Sequence, residues 1–139
     1  MNYENVILER EGHIAVLTLN RPDVLNALNK DLQDEGRAAC AEIESDDSIR
    51  VLIVTGAGRG FCAGADLTGR GAESGAKIAP QSDRLDEFGW VGRQAVSLYR
   101  MTKPTIAAVN GVAVGAGMSL ALACDMRIGS DLTRFKTTF

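Results

Sequence analysis

Apolar and polar positions alternate along the chain with two different periods. Val6 to Arg10 and Ile14 to Leu19 are β-rich runs separated by Glu11-Gly12-His13, a pattern that predicts a hairpin. Arg21-Pro22 closes the second run, because proline cannot donate to a strand ladder. From Asn29, a suitable N-cap, the period becomes helical: Leu32, Ala39, Cys40 and Ile43 fall on one face. Gly36 lies inside this segment and weakens it by about 0.5–1 kcal/mol relative to alanine. Ser45-Asp46-Asp47 ends it.

Val51 to Thr55 is an unbroken apolar run, the pattern of a strand buried on both faces. A glycine-rich stretch follows from Gly56 to Ala65. Gly69 to Pro80 is small, polar and aperiodic, and is expected to be a mobile surface loop. Arg84 to Met101 reads as a helix with Leu85, Phe88, Val91, Ala95 and Leu98 on one side, broken by Pro104. Thr105 to Val109 is a second buried strand, Asn110-Gly111 a turn, and Val112 to Val114 a short extended piece. Gly115-Ala116-Gly117 leads into a buried helix over Met118 to Ala123, and Asp125 to Gly129 reads as a further strand. No tandem repeat interrupts this order. Hairpin, helix, strand, helix, strand, helix, strand describes an α/β fold with parallel pairing, one domain over residues 1–139.

Composition narrows the function classes. A net charge of -3 leaves no basic excess for a nucleic-acid surface. No apolar run approaches the roughly 20 residues of a membrane span. The polar, acidic start Met1-Asn2-Tyr3-Glu4 is unlike a secretory signal. Cys40, Cys62 and Cys124 have no metal-type spacing and are expected to be free thiols in a reducing cytoplasm. No metal site is expected.

Each buried strand runs into a glycine-rich loop that leads towards a helix, and such loops let backbone N–H groups approach a ligand. A dinucleotide fingerprint fails at Gly56-Ala57-Gly58-Arg59-Gly60-Phe61, where Phe61 holds the third glycine position, and no Gly-Lys-Ser/Thr follows either loop. Gly117-Met118-Ser119-Leu120-Ala121 is similar to a serine-hydrolase elbow. The only histidine, His13, precedes the serine and sits in the expected hairpin turn, the wrong order for that chemistry. An oxyanion hole built from two backbone N–H groups uses both loops at once and requires only small residues, which Ala65 and Ala116 are.

Three segments then carry a resemblance. Asn20-Arg21-Pro22-Asp23-Val24-Leu25-Asn26-Ala27-Leu28 resembles the N-R-P-x-x-x-N-A-L segment of the crotonase (enoyl-CoA hydratase/isomerase) superfamily. Thr55 to Leu67 is similar to its T-G-x-G-x-x-F-x-A-G-x-D-L segment, and Lys103 to Gly117 to its K-P-x-I-A-A-V-N-G-x-A-x-G-G-G segment. The resemblance runs from about Val6 to Phe139. It implies a spiral of β-β-α units, truncated at the C-terminus, since family members are about twice as long. It implies that the N–H groups of Ala65 and Ala116 hold a thioester oxygen, and that Asp23, Val24, Ala27, Ala63, Asp66 and Leu67 line the path of coenzyme A. CoA would enter as part of the substrate, with no separate cofactor. The implied partner is an acyl-CoA thioester, in a cytoplasmic homo-oligomer, a trimer or hexamer.

Family hydratases carry two glutamates where this chain has Ser119 and Phe139. That departure turns the expectation from hydration towards isomerisation, and the run Gly115 to Leu122 with Phe135 to Phe139 is closest to the ring-epoxyphenylacetyl-CoA isomerase branch. The aspartate used by that branch falls beyond Phe139, so these 139 residues alone are expected to be nearly inactive. A family member with another reaction, such as dehalogenation or decarboxylation, and a non-catalytic scaffold binding CoA or a protein are the alternative readings. Asp125 and Asp131 read as caps or solvated charges.

Overall fold

The structure is a computed structural model that describes residues 2–68 and 89–138. Strands β1 (Val6–Glu11) and β2 (Ile14–Leu19) form the expected antiparallel hairpin. A 3-10 turn over Pro22–Val24 follows, then helix α1 (Lys30–Glu44). Strand β3 (Val51–Gly56) leads to a short strand β4 (Gly60–Cys62), and helix α2 (Gly89–Tyr99) follows. Strands β5 (Thr105–Val109) and β6 (Val112–Val114) precede helix α3 (Ala116–Ala123), and β7 (Met126–Gly129) and β8 (Arg134–Lys136) end the described chain. The loop expected over Gly69 to Pro80, the helical positions Leu85 and Phe88, and Phe139 lie outside the described residues.

The described strands form two sheets. One is five-stranded in the order β1-β2-β3-β5-β7, and the other is three-stranded in the order β4-β6-β8. Among the described strands only the hairpin is antiparallel; β2-β3, β3-β5 and β5-β7 pair in parallel, as do β4-β6 and β6-β8. The chain therefore repeats a unit of one large-sheet strand, one small-sheet strand and one helix: β3-β4-α2, then β5-β6-α3, with β7-β8 starting again.

Register explains the core. Ala15, Leu52 and Thr105 are cross-strand neighbours, as are Leu17, Val54 and Ala107, and all six are buried. The opposite face carries the row Val16, Ile53, Ile106 and Met126. Val16, Ile53 and Ile106 are half-buried and Met126 is exposed. The expectation that Val51 to Thr55 is buried on both faces is thus met on one face only: Leu52 and Val54 are fully covered, while Val51, Ile53 and Thr55 are half-covered. Leu122, Met126, Ile128, Leu132 and Phe135 are also exposed near the free edges β7 and β8.

Local chemistry sets the helix ends. The Asn29 side chain accepts a hydrogen bond from the Leu32 N–H at 2.9 Å, the expected cap. Leu32, Ala39, Cys40 and Ile43 are all buried. Lys103 donates through Nζ to the carbonyls of Ile43 (2.6 Å) and Asp46 (2.5 Å), so a cation meets the negative end of α1. Gly36 has no Cβ because the Gln94 carboxamide of α2 occupies that place, 2.2 Å from where a Cβ would stand.

Candidate active site

The chain folds so that the ends of β4 and β6 lie side by side. The segment after β4 crosses the start of α3 at glycine contacts. A Cβ on Gly64 would stand 2.8 Å from the Val114 carbonyl oxygen and 3.7 Å from the Ala116 nitrogen. A Cβ on Gly117 would stand 2.1 Å from the Cys62 carbonyl oxygen. Gly64 also has φ 96°, open only to glycine at low cost. The two loops singled out by sequence are therefore brought together, and Ala65 follows directly on the residue that touches Ala116.

Backbone hydrogen bonds aim the amides. Ala65 forms an isolated parallel bridge with Leu28, in which the Leu28 N–H donates to Gly64 and the Asp66 N–H to Leu28. In a parallel bridge that pattern leaves the Ala65 N–H directed away from Leu28. Ala116 is the first residue of α3, and the first intrahelical bond is that of Ser119 N–H to the Gly115 carbonyl. Neither the Ala65 nor the Ala116 N–H donates to an acceptor among the described residues. Free N–H groups at a helix start favour negative charge.

Two asparagines staple the loops. Asn26 is fully buried with φ 57°; its Oδ1 accepts from the Arg21 N–H at 2.8 Å, and its Nδ2 donates to the carbonyls of Ala57 (3.0 Å) and Gly60 (2.9 Å). Asn110 donates through Nδ2 to the carbonyls of Gly56 (2.9 Å) and Gly58 (3.0 Å) and accepts at Oδ1 from the Gly56 N–H (3.2 Å). Sequence reasoning assigned neither a role. Their signal was present: an asparagine inside an apolar loop motif needs partners for its carboxamide. The loop after Thr55 runs into strand β4, not a helix, so the dinucleotide geometry does not form.

The remaining sequence candidates spread around these loops. Asp23 and Val24 are exposed on the 3-10 turn, and Ala27 and Ala63 are half-buried. Val24 is 40% exposed and Leu67 67%, so core packing does not account for either. Asp66 is held tightly. Its Oδ1 accepts from the Thr68 hydroxyl (2.6 Å) and N–H (3.0 Å), and its Oδ2 from Arg21 Nη1 (2.9 Å). The Thr68 hydrogen bonds, hydroxyl first, and the Arg21 guanidinium hold its carboxyl down at about 2. Asp66 caps a turn at Thr68, the kind of role open to an aspartate beside a loop.

Other reactive groups are committed to structure. The Ser119 hydroxyl donates to the Gly115 carbonyl at 3.4 Å, the usual i−4 bond of a helical serine. His13 is exposed in the hairpin turn with Nδ1 2.7 Å from the Ser48 carbonyl oxygen. Asp125 accepts from the Thr105 N–H (2.8 Å) and hydroxyl (3.0 Å), tying α3's exit to β5. Cys40, Cys62 and Cys124 are free and buried, and burial pushes their thiols up to about 12, 12 and 11. No described helix is long and apolar enough to cross a membrane.

Comparisons with known proteins bear on the family and the fold. Residues 9–139 match the family described as enoyl-CoA hydratase/isomerase. The chain is 43% identical over 139 residues to the short-chain-enoyl-CoA hydratase of Clostridium acetobutylicum, covering 97% of this chain and 50% of that protein. It is 38% identical over 136 residues to the 1,2-epoxyphenylacetyl-CoA isomerase of Escherichia coli K12, covering 98% and 51%. The crystal structure of an enoyl-CoA hydratase from Bacillus anthracis superposes with a TM-score of 0.82 at 31% identity, covering 95% of this chain and 50% of that one. The chain thus spans about half the length of the relatives it matches. Its repeated strand-strand-helix turns are those of the crotonase fold, and the chain belongs to the enoyl-CoA hydratase/isomerase family.

Proposed function

We propose that the Ala65 and Ala116 N–H groups form an oxyanion hole for the thioester oxygen of an acyl-CoA. The observation that carries this reading is the pair of unengaged amides on two loops that touch at Gly64 and Ala116. Removing a proton α to a thioester places charge on its oxygen, and two preorganised N–H donors stabilise the enolate that forms. Each such donor is worth about 10²–10³ in rate. Asp23, Val24, Ala27, Ala63, Asp66 and Leu67 line the way of the CoA moiety towards this point. The exposure of Val24 and Leu67 supports that role, since both offer apolar surface to a ligand. CoA arrives with the substrate, and the reaction calls for no metal and no separate cofactor.

Isomerisation is favoured over hydration within this family. Ser119 stands where family hydratases place a glutamate, and its hydroxyl is bonded to its own helix. The Asp66 and Asp125 carboxylates are engaged by protein donors, so neither is poised to carry a proton. The proton carrier then belongs to the whole protein outside the described residues, and the 139-residue chain by itself turns over at most weakly. The working form is a cytoplasmic homo-oligomer, a trimer or hexamer; the exposed Leu122, Ile128 and Leu132 support burial against further polypeptide. The test is infrared difference spectroscopy of a carbonyl-labelled enoyl-CoA bound to the chain, with turnover assays on enoyl-CoA and epoxyphenylacetyl-CoA thioesters. The hole requires a lowered carbonyl stretch on binding. An unshifted carbonyl in bound ligand refutes it, and efficient hydration by the 139-residue chain refutes the isomerase preference.

A further inference from the structure

The Arg21–Asp66 pair occupies a place in the fold that goes beyond lining a ligand path. Arg21 stands just before the 3-10 turn at the head of the 20–28 segment, and Asp66 directly follows Ala65. Arg21 Nη1 reaches two acceptors at once, the Ala27 carbonyl at 2.5 Å and Asp66 Oδ2 at 2.9 Å. The pair is largely sheltered, with the side chains 21% and 10% exposed. The other Asp66 oxygen is taken by the hydroxyl and N–H of Thr68. One carboxylate therefore grips both sides of a short stretch: the 20–28 segment on one side, and the chain just beyond Ala65 on the other.

What this grip controls follows from the neighbouring backbone. On its N-terminal side, Ala65 is preceded by Gly64, whose φ of 96° makes that joint permissive. The Ala63 N–H donates to Leu25, and the Leu28 N–H donates at 2.7 Å to the Gly64 carbonyl, which shares one peptide plane with the Ala65 N–H, so that plane is seated by whatever holds Leu28 in place. On its C-terminal side the single backbone bond from Asp66 N–H to Leu28 acts as a pivot. The ion pair ties Ala27, next to Leu28, to Asp66, next to Ala65, so it holds together the two segments on which the Leu28 bonds, and with them the orientation of the Ala65 N–H, depend. Ala116 needs no such device, because helix α3 orients its amide.

We propose that Arg21 and Asp66 are positioning residues, a clasp that holds the Ala65 amide in the orientation that receives the thioester oxygen. The inference rests on the oxyanion reading above. Neither residue touches the reacting atoms. The clasp also explains how an aspartate sits beside a path for polyanionic CoA: its charge is matched by Arg21.

The test uses Asp66→Asn, Arg21→Met and the conservative Arg21→Lys in the 139-residue chain, read in two ways. In ¹⁵N relaxation without ligand, the Ala65 order parameter should fall from about 0.85 in the parent to below about 0.6 in Asp66→Asn and Arg21→Met. Ala116 and core amides such as Ala107 should stay rigid, and Arg21→Lys should restore part of the order. With a carbonyl-labelled crotonyl-CoA thioester at saturating concentration, the two disruptive variants should lose most of the carbonyl shift of the bound ligand. An Ala65 amide as rigid in Asp66→Asn and Arg21→Met as in the parent overturns the clasp. So does a carbonyl shift retained in both. A parent protein that shows no carbonyl shift at all rejects the oxyanion hole instead, and the relaxation data still decide the clasp on their own. Where Arg21→Met fails to fold, Asp66→Asn and Arg21→Lys carry the comparison.

Discussion

Replacing Gly117 by alanine tests the central contact of the site. The added methyl would stand 2.1 Å from the Cys62 carbonyl oxygen, 2.8 Å from its carbonyl carbon and 2.8 Å from its Cβ. These atoms belong to the last residue of β4, a strand paired in parallel with β6, so they cannot swing aside as a flexible side chain would. Ordinary carbon contacts lie at about 3.5 Å, so the start of α3 must retreat from β4 by about 1 Å. Overpacking of this kind costs about 1–3 kcal/mol, and with backbone on one side the upper end, about 3 kcal/mol, is expected. The retreat also carries the Ala116 amide away from Ala65, and a 1 Å misplacement at a reacting centre typically costs about 10²-fold. Gly12→Ala is the control: Gly12 has φ +57° with nothing within 4 Å, so it pays only left-handed strain of about 1–2 kcal/mol far from the site. Urea denaturation measures the stabilities, and the carbonyl stretch of a bound enoyl-CoA measures the site. Gly117→Ala should lose stability and the carbonyl shift together, while Gly12→Ala loses stability alone. A Gly117→Ala protein within about 0.5 kcal/mol of the parent and with its carbonyl shift intact would refute the reasoning, because it would mean that β4 and α3 are not in contact as described.

Further outcomes follow from the same structure. Asn110→Ala should destabilise by about 2 kcal/mol, because it strips the donor from the Gly56 and Gly58 carbonyls, and urea unfolding reads the loss. Gln94 is fully buried with both carboxamide atoms unpartnered among the described residues, so Gln94→Met should be neutral or stabilising by about 1 kcal/mol; a loss above about 1 kcal/mol in the same assay would show that the amide is satisfied. The Asp66 carboxyl is held at about 2, below its unfolded value of about 3.9, so its contribution to stability is complete above pH 4 and disappears as pH falls from 4 to 2. Carboxyl ¹³C titration alongside acid unfolding checks this, and a midpoint near 4 would contradict it. The thiols of Cys40, Cys62 and Cys124 should resist a disulfide reagent at pH 8 in the native protein and react once urea unfolds it.

Period and turn chemistry made much of the architecture legible in the sequence. Hairpin β1-β2 followed from two β-rich runs about Gly12, and α1 from an asparagine cap ahead of a helical apolar face. Strands β3 and β5 followed from short apolar runs ended by glycine or asparagine. These signals are local, because strand and helix periods and capping bonds involve residues a few positions apart. The strands β4 and β8 were not legible. Each has three residues, too short for an alternation to register, and each exists because a parallel neighbour in the small sheet holds it. Burial across the large sheet was equally non-local: Leu52 and Ile53 are both apolar, and only the stacking of neighbours decides that the first is sealed and the second half-open.

The candidate site divides along the same line. That Ala65 and Ala116 could serve as paired donors was readable, since small residues in glycine-rich loops after buried strands permit close approach. That their loops meet was decided by the tertiary structure alone, through contacts between residues about fifty positions apart, Gly64 with Ala116 and Cys62 with Gly117. The same holds for Asn26, Asn110 and the Arg21–Asp66 pair, whose partners are distant in sequence and whose roles no spacing announces. A sequence specifies which groups can bond and how the nearby chain is shaped. Which distant group each one finds is settled when the strands pair in register and the helices close over them, because only then are those groups within reach of one another.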